Sequence, residues 1–167
     1  DAIKKKKLKK NGIIVEGTAG NTGIGLTLVG NSFGFKSVIV MPKTQSEEKK
    51  NELKTYGAEL TLVPAVPYSN PKNYVKYSET LANNIQKNNK KKSVFWANQF
   101  DNLANYQAHY ETTGPEIWKD TKGKINGFVC SVGTGGTIAG IGSFLKKKNK
   151  KIKIGLVDPF GSALHNY

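Results

Sequence analysis

The sequence predicts an α/β protein with doubly wound parallel sheets and helices on both faces. Short apolar, β-branched runs alternate with amphipathic stretches along the whole chain, and two glycine-rich segments each follow a strand and open a helix. Such alternation gives parallel strands joined by right-handed crossovers. Ligands in sheets of this class bind beyond the carboxyl ends of the strands, so both glycine-rich segments are expected to bind a ligand.

The individual elements follow from the spacing of apolar residues. Continuous apolar runs predict strands at residues 12–15, 37–41, 59–63, 93–96, 125–131 and 152–157. Apolar residues at three- and four-residue spacing predict helices at residues 22–33, 46–56, 73–87, 102–110, 115–119 and 136–147. Strand and helix therefore alternate through most of the chain.

Composition narrows the classes of partner. The net charge is +14, and all 26 basic residues are lysine, so the guanidinium fork that reads guanine is absent. The lysine runs, such as residues 4–10 and 146–153, are interpreted as solvated surface, and no specific nucleic-acid partner is predicted. No stretch approaches the roughly 20 apolar residues that cross a bilayer, so no membrane partner is predicted.

The cysteine and histidine content excludes two kinds of site. Cys130 is the single cysteine, so it cannot form an internal disulfide, which fits a reducing compartment. A cytoplasmic location is predicted, and an organelle is left open. Cys130 lies in an apolar run and is interpreted as a buried thiol, and His109 as a packing or hydrogen-bonding residue. One cysteine and two histidines make no metal-binding set, so no metal site is predicted.

The first glycine-rich segment, residues 16–25, contains Glu-Gly-Thr-Ala-Gly-Asn-Thr-Gly-Ile-Gly. It concentrates small residues where the backbone turns from a strand into a helix. Free amides at a helix start, together with the hydroxyls of Thr18 and Thr22, suit a carboxylate or a phosphate. A plain strand-to-helix turn, with Asn21 or Thr22 as the cap, is the alternative interpretation.

The second segment, residues 133–137, contains Gly-Thr-Gly-Gly-Thr and also joins an apolar strand to a helix. Its backbone amides and two hydroxyls can surround a phosphate without a lysine. Ile138 replaces the third glycine of a dinucleotide fingerprint, and the sequence lacks the Gly-Lys-Ser/Thr of a P-loop. A nicotinamide or ATP site is therefore disfavoured.

Two further blocks accompany the glycine-rich segments: Gln-Phe-Asp-Asn at residues 99–102 and His-Tyr-Glu-Thr-Thr-Gly-Pro-Glu-Ile-Trp at residues 109–118. Together the four blocks resemble the fold-type II pyridoxal-phosphate (PLP) enzymes, which have the tryptophan synthase β-like fold. The resemblance is to the cysteine synthase (O-acetylserine sulfhydrylase) and cystathionine β-synthase family. It extends from near Gly12 to the end of the chain, and the block that begins at His109 looks more like cysteine synthase.

The resemblance implies a role for each segment. PLP is the implied cofactor, and its ring hydroxyl and phosphate would be held by Asn21, Gly133, Thr134, Gly135, Gly136 and Thr137. The substrate carboxylate would be held by Thr18, Ala19, Gly20, Thr22 and Gln99. It also implies two subdomains: a smaller mobile one at residues 1–101, which contains the asparagine loop, and part of a larger PLP-phosphate-binding one at residues 102–167.

The resemblance also implies that the chain is partial. In the family, the lysine that forms the Schiff base lies well before the asparagine loop, at a position that would precede Asp1. No catalytic residue is therefore predicted within the chain, which we expect to be inactive alone. Gly17 and Ala19 stand where many relatives have proline and serine, which removes one rigid residue and one hydroxyl donor.

The function implied for the parent protein is PLP-dependent β-replacement, which makes L-cysteine from O-acetylserine and sulfide. Its partners would be the amino-acid substrate, sulfide or a thiol, and a second copy in a homodimer. Cystathionine β-synthase shares these motifs and takes homocysteine as the nucleophile, so that activity stays open. A non-catalytic fragment or binding module, and nonspecific nucleic-acid binding through lysine, are the remaining alternatives.

Overall fold

The computed structural model describes residues 1–162, and residues 163–167, which include His165, lie outside the described residues. Contacts between Cα atoms divide the chain into two units, Asp1–Asn98 and Gln99–Tyr167. The subdomains predicted at residues 1–101 and 102–167 stay a prediction about the parent protein. Each predicted strand and helix is present, with ends that shift by no more than two residues.

The first unit is a parallel sheet with helices on both faces. Its elements are β1 (Ile13–Gly17), α1 (Asn21–Ser32), β2 (Lys36–Pro42), α2 (Glu47–Thr55), β3 (Glu59–Val63), α3 (Tyr74–Asn88) and β4 (Val94–Trp96). The strand order is β3-β2-β1-β4, and every pairing is parallel among the residues described. This architecture confirms the predicted α/β class.

Alternation along β1 divides the core of this unit between the two faces of the sheet. Ile13 and Val15 point to one face and pack with Val38 and with Ala82 of α3. Ile14 points to the other face and packs with a second apolar cluster that includes Leu26 of α1. Because successive side chains of a strand alternate, both faces of β1 are buried, which explains its continuous apolar run.

The strand order creates a switch point beside β1. The chain runs outward from β1 through β2 to β3, and α3 then returns it to β4 on the other side of β1. The backbone N–H of Ala97, just after β4, donates to the carbonyl of Val15 at 2.9 Å. The carboxyl ends of β1 and β4 are therefore adjacent, where open α/β sheets bind their ligands.

The second unit contains α4 (Ala104–Glu111), α5 (Thr113–Asp120), β5 (Gly127–Ser131), α6 (Gly136–Lys148) and β6 (Lys153–Val157). β5 and β6 pair in parallel through the crossover helix α6. The core of this unit lies between α6 and one face of the strands, around Ile141, Leu145 and Ile152. Val129 and Val157 on the other face are 66% and 55% exposed. Cys130 is half-buried at this small sheet, less enclosed than its apolar run suggests.

No helix within residues 1–162 is both long and apolar enough to span a membrane.

Candidate functional site

The β1–α1 loop, residues 18–22, follows the buried end of β1. The Thr18 backbone N–H donates to the carbonyl of Val40 at 3.0 Å, and the Thr18 side chain is only 3% exposed. Its hydroxyl accepts from the backbone N–H of Gly20 at 3.2 Å, which fixes the turn. Gly20 is the N-cap residue of α1 and has no side chain to cap the next amides. No side chain therefore caps the first turn of α1, whose end of the helix dipole is positive and suits an anion.

Three of the remaining residues of this loop are at least partly exposed, and Gly20 is buried. Asn21 is exposed, and Ala19 and Thr22 are half-buried. The side chains that the resemblance assigns to the substrate and to the ring hydroxyl are thus partly or fully accessible. The exception is Thr18, whose buried hydroxyl already accepts the Gly20 amide and contributes mainly to the shape of the loop.

A lysine lies next to the β1–α1 loop. A Cβ atom at Gly20 would lie 3.4 Å from Nζ of Lys49 and 3.5 Å from its Cδ and Cε atoms. Lys49 is held in α2, where its backbone N–H donates to the capping hydroxyl of Ser46 at 3.4 Å. Its ammonium therefore adds positive charge beside the amides of the loop. The sequence pattern does not single out Lys49 because the contact depends on how α2 packs.

A buried carboxylate lies directly before the same loop. Glu16 in β1 is only 1% exposed. Burial raises the pKa of Tyr74 at the start of α3, and the nearby Glu16 carboxylate raises it further. The raised pKa means that the Tyr74 phenol stays protonated to a higher pH than an exposed tyrosine does. Glu16 is part of the first glycine-rich segment, yet its sequence context gave no indication that Tyr74 lies close.

The β5–α6 loop, residues 133–137, repeats this arrangement in the second unit. Gly135 is the N-cap residue of α6 and has φ +85°, a left-handed conformation that side chains disfavour. A Cβ atom at Gly133 or Gly135 would meet no described atom within 4 Å. The first turn of α6 is Gly-Thr-Ile-Ala and carries no charge. The loop before α6 therefore has room above Gly133 and Gly135, at the positive end of the helix dipole.

Helix α4 contacts both threonines of the β5–α6 loop. The Asn105 amide nitrogen lies 2.8 Å from Oγ1 of Thr134 and 3.2 Å from the carbonyl oxygen of Gln99. The His109 ring lies 3.1 Å from Oγ1 of Thr137 through Nε2 and 3.0 Å from Oγ1 of Thr113 through Nδ1. Both hydroxyls of the loop are therefore fixed from one side.

A cavity of about 250 Å³ adjoins the β5–α6 loop within the second unit. Gln99, Asn102 and Asn105 line it from the start of the unit, and Thr134 and Gly135 line it from the loop. Gln99 therefore shares a cavity with the β5–α6 loop, whereas the β1–α1 loop belongs to the first unit. The family resemblance groups Gln99 with the residues of the β1–α1 loop, and that shared role stays a proposal.

These features fit the phosphate group of a cofactor. A phosphate dianion needs several converging donors and a backbone that leaves it room. The β5–α6 loop supplies helix amides, the hydroxyls of Thr134 and Thr137, and open space above two glycines. Residues 1–162 contain no group of three or more His, Cys, Asp and Glu side chains that could hold a metal ion.

Comparison with known proteins gives the class. The sequence matches the pyridoxal-phosphate dependent enzyme family over residues 1–166. Cysteine synthase 1 of Emericella nidulans is 51% identical, in an alignment that covers 100% of this chain and 44% of the relative. Cysteine synthase of Dictyostelium discoideum is 45% identical, in an alignment that covers 99% of this chain and 42% of the relative. This chain belongs to the family of PLP-dependent enzymes, and PLP is the family's cofactor.

Solved structures agree with that assignment. Cysteine synthase from Entamoeba histolytica has a TM-score of 0.82 and 41% identity, covering 99% of this chain and 46% of that chain. O-ureido-L-serine synthase has a TM-score of 0.86 and 34% identity, covering 99% of this chain and 50% of that chain. The resemblance to cysteine synthases and the fold-type II fold are thus confirmed. The chain spans less than half the length of the two curated relatives.

Proposed function

We propose that this chain is part of an enzyme that makes L-cysteine from O-acetylserine and sulfide by PLP-dependent β-replacement. The observation that carries the proposal is the pair of strand-to-helix loops, each of which opens a helix capped only by glycine. The proposed reaction needs two anion sites, one for the cofactor phosphate and one for the substrate carboxylate. Within residues 1–162, each unit offers one loop of this kind.

The phosphate is proposed to bind the β5–α6 loop. The amides at the start of α6 and the two hydroxyls would donate to it, and Gly133 and Gly135 would leave room for its approach. The residues proposed to hold the phosphate are Gly133, Thr134, Gly135, Gly136 and Thr137. Asn21 is proposed to reach the ring hydroxyl of the same cofactor.

The substrate carboxylate is proposed to bind Thr18, Ala19, Gly20, Thr22 and Gln99. The amides at the start of α1 would donate to the carboxylate, and the Gln99 amide would add a neutral donor. Lys49 beside Gly20 would raise the local positive potential without being required for contact. Together these groups would orient the amino acid and favour its ionised carboxylate.

The cofactor, when bound, supplies the electron withdrawal that loosens bonds at the amino acid's α-carbon. The residues of this chain would bind and orient the two reacting molecules, and none of them is proposed to transfer the substrate proton. Binding the substrate through neutral donors and helix amides keeps its carboxylate charged while the rest of the molecule reacts.

Several properties of the parent protein are proposed from the family resemblance. Its partners would be an amino-acid substrate together with sulfide or a thiol. It would act as a homodimer in the cytoplasm. Gel filtration with light scattering would check the dimer, and fractionation of cells would check the compartment.

The test of the proposed reaction uses the intact parent protein, which contains this chain, loaded with PLP. O-acetylserine with sulfide should give L-cysteine with a higher kcat/KM than that for cystathionine formation from serine and homocysteine. Amino-acid analysis of the products measures both rates. A PLP-saturated protein that prefers serine and homocysteine, or that turns over neither pair, would contradict the proposal.

Replacing Asn21 or Gln99 with alanine tests the proposed contacts to the cofactor's ring hydroxyl and to the substrate carboxylate, both of which O-acetylserine binding depends on. We expect the affinity for O-acetylserine to fall about ten- to a hundredfold, because a hydrogen bond to a charged group contributes roughly 1.5–3 kcal/mol. Bound PLP after dialysis should change little. Absorbance titration with O-acetylserine measures the affinity.

Matched controls exist in α1, which contains Asn21, and in α4, which follows Gln99 in the chain. Ser32→Ala in α1 and Gln107→Ala in α4 change exposed polar residues outside the loops and should leave the titration unaltered. Equal titration curves for Asn21→Ala, Gln99→Ala and the controls would remove both residues from the proposed site.

A further inference from the structure

Helix α4 lies against α6 at two glycines. A Cβ atom at Gly140 would lie 2.5 Å from the carbonyl oxygen of Tyr106 and 2.7 Å from Cβ of His109. A Cβ atom at Gly136 would collide with the side-chain amide of Asn105. Asn105 and His109 are four residues apart, so they lie on one face of α4. The glycines allow these two side chains to reach the β5–α6 loop.

The contact of Asn105 fixes the direction of one hydrogen bond. Its amide nitrogen lies 3.2 Å from the carbonyl oxygen of Gln99, which can only accept, so the nitrogen and not the oxygen faces that way. The same nitrogen lies 2.8 Å from Oγ1 of Thr134, which must therefore accept. The Gly136 N–H approaches that oxygen at 3.4 Å. The hydroxyl proton of Thr134 is thus directed away from Asn105.

The His109 ring can make its contacts in two arrangements, which correspond to its two tautomers. A neutral imidazole donates from one nitrogen and accepts at the other. If Nε2 carries the proton, Thr113 donates to Nδ1 at 3.0 Å and Thr137 accepts from Nε2 at 3.1 Å. If Nδ1 carries it, the ring donates to Thr113, Thr137 donates to Nε2, and the Thr113 proton has only Oγ1 of Thr112 at 3.5 Å. Thr112 itself donates to the carbonyl of Ala108 at 2.7 Å.

Both arrangements use the same two ring contacts, and they differ in which threonine proton is left over. A contact of 3.5 Å between two hydroxyls is weak, so the Nδ1–H form leaves the Thr113 proton poorly paired, whereas the Nε2–H form leaves the Thr137 proton for an external acceptor. An anion beside Thr137 would accept that proton and therefore favours the Nε2–H form. In that form Thr137 accepts from His109, and its own proton is free to be donated to another acceptor.

We propose that Asn105 and His109 are positioning residues that set the hydroxyls of Thr134 and Thr137 as donors to the cofactor phosphate. Each supplies an N–H to a threonine oxygen, so each threonine proton is directed to an external acceptor. A phosphate dianion only accepts hydrogen bonds, so threonines fixed as donors bind it better than threonines that could also donate to α4. The inference rests on the proposed role of the β5–α6 loop.

The test compares the affinities for PLP and for pyridoxal, which lacks the phosphate, in the intact protein. His109→Leu should weaken PLP binding about tenfold, as expected for the loss of one well-placed donor, and leave pyridoxal binding unchanged. His109→Gln retains an N–H donor and should restore PLP affinity to within about threefold of the parent. A merely structural role for His109 would lower both affinities and would not be rescued by glutamine.

A double variant distinguishes the positioning role of His109 from the phosphate-binding role of the β5–α6 loop. In a Thr137→Val background, His109→Leu should cause no further loss of PLP affinity, because the hydroxyl that it positions is gone. If Thr137→Val and Thr134→Val do not alter the preference for PLP over pyridoxal, the proposed phosphate site fails. If they do and His109→Leu does not, only the positioning role is overturned.

The ring form can be measured directly. Nitrogen-15 NMR of the histidine side chains should show His109 as the Nε2–H form in the holoprotein. His165 provides the second histidine signal, and the His109→Gln variant assigns the two. A dominant Nδ1–H form of His109 would overturn the proposed direction of its bond to Thr137.

Discussion

Replacing Gly140 with alanine is expected to lower the free energy of unfolding by about 2–3 kcal/mol, a large effect for one methyl group. The added Cβ would lie 2.5 Å from the carbonyl oxygen of Tyr106 and 2.9 Å from the backbone N of Tyr110. Those atoms belong to the backbone of α4, so α4 must move away from α6. Because α4 also carries Asn105 and His109, the variant should bind PLP more weakly as well.

Gly142 provides the matched control in the same helix. A Cβ atom there would meet the Ile154 side chain at 3.5–3.7 Å, which is ordinary van der Waals contact. Gly142→Ala should therefore stabilise the protein by about 0.5–1 kcal/mol through the higher helix propensity of alanine. Urea unfolding followed by Trp118 fluorescence in a Trp96→Phe background measures both variants. Similar changes in both would mean that α4 does not lie closely against α6 at Gly140.

Replacing Gly133 with aspartate is expected to weaken PLP binding about a hundredfold or more. A like charge within a few ångströms of a dianion costs several kcal/mol near a protein surface, and about 1.4 kcal/mol corresponds to a tenfold change in affinity. A Cβ atom at Gly133 meets no described atom within 4 Å, so the substitution should fold. A carboxylate near the start of α6 should even stabilise that helix slightly.

The uncharged control is Gly133→Asn, which has nearly the same shape. Equilibrium dialysis with PLP and with pyridoxal separates the effect of charge on the phosphate from the effect of size on the ring. We expect the aspartate variant to lose PLP binding selectively and the asparagine variant to retain most of it. Equal PLP affinities for the two variants would place the phosphate away from the β5–α6 loop.

The sequence was sufficient to predict the elements of the fold. The apolar run at residues 37–41 predicted β2, and the spacing of apolar residues at 73–87 predicted α3, because each pattern is local. The position of the two glycine-rich loops between a strand and a helix was predicted on the same basis. These features depend on residues that are close in the chain.

Features that depend on tertiary packing could not be predicted in the same way. Lys49 lies beside Gly20 only because α2 packs next to the β1–α1 loop, and its sequence context resembles any solvated lysine run. Lys50 is a similar case: its ammonium is buried and donates to the carbonyl of Lys43 at 2.8 Å. The charge pattern along a sequence does not distinguish such residues from exposed ones.

The glycine at position 17 has a structural reason that the sequence did not give. A Cβ atom at Gly17 would lie 2.6 Å from the carbonyl oxygen of Tyr74 and 2.9 Å from Cα of Val75. The backbone of α3 thus comes too close for a side chain.

His109 was interpreted from the sequence as a packing or hydrogen-bonding residue, and the structure adds that its partners are Thr113 and Thr137.

The central claim is that the two loops bind different anions, and NMR of the intact nitrogen-15-labelled protein tests it most directly. Addition of PLP should shift the amide signals of Gly133, Gly135 and Gly136 first, because these amides lie in the β5–α6 loop. Subsequent addition of O-acetylserine should shift the amide signals of Ala19 and Gly20. PLP shifts confined to Ala19 and Gly20, with the signals of the β5–α6 loop unchanged, would contradict the assignment of the two loops.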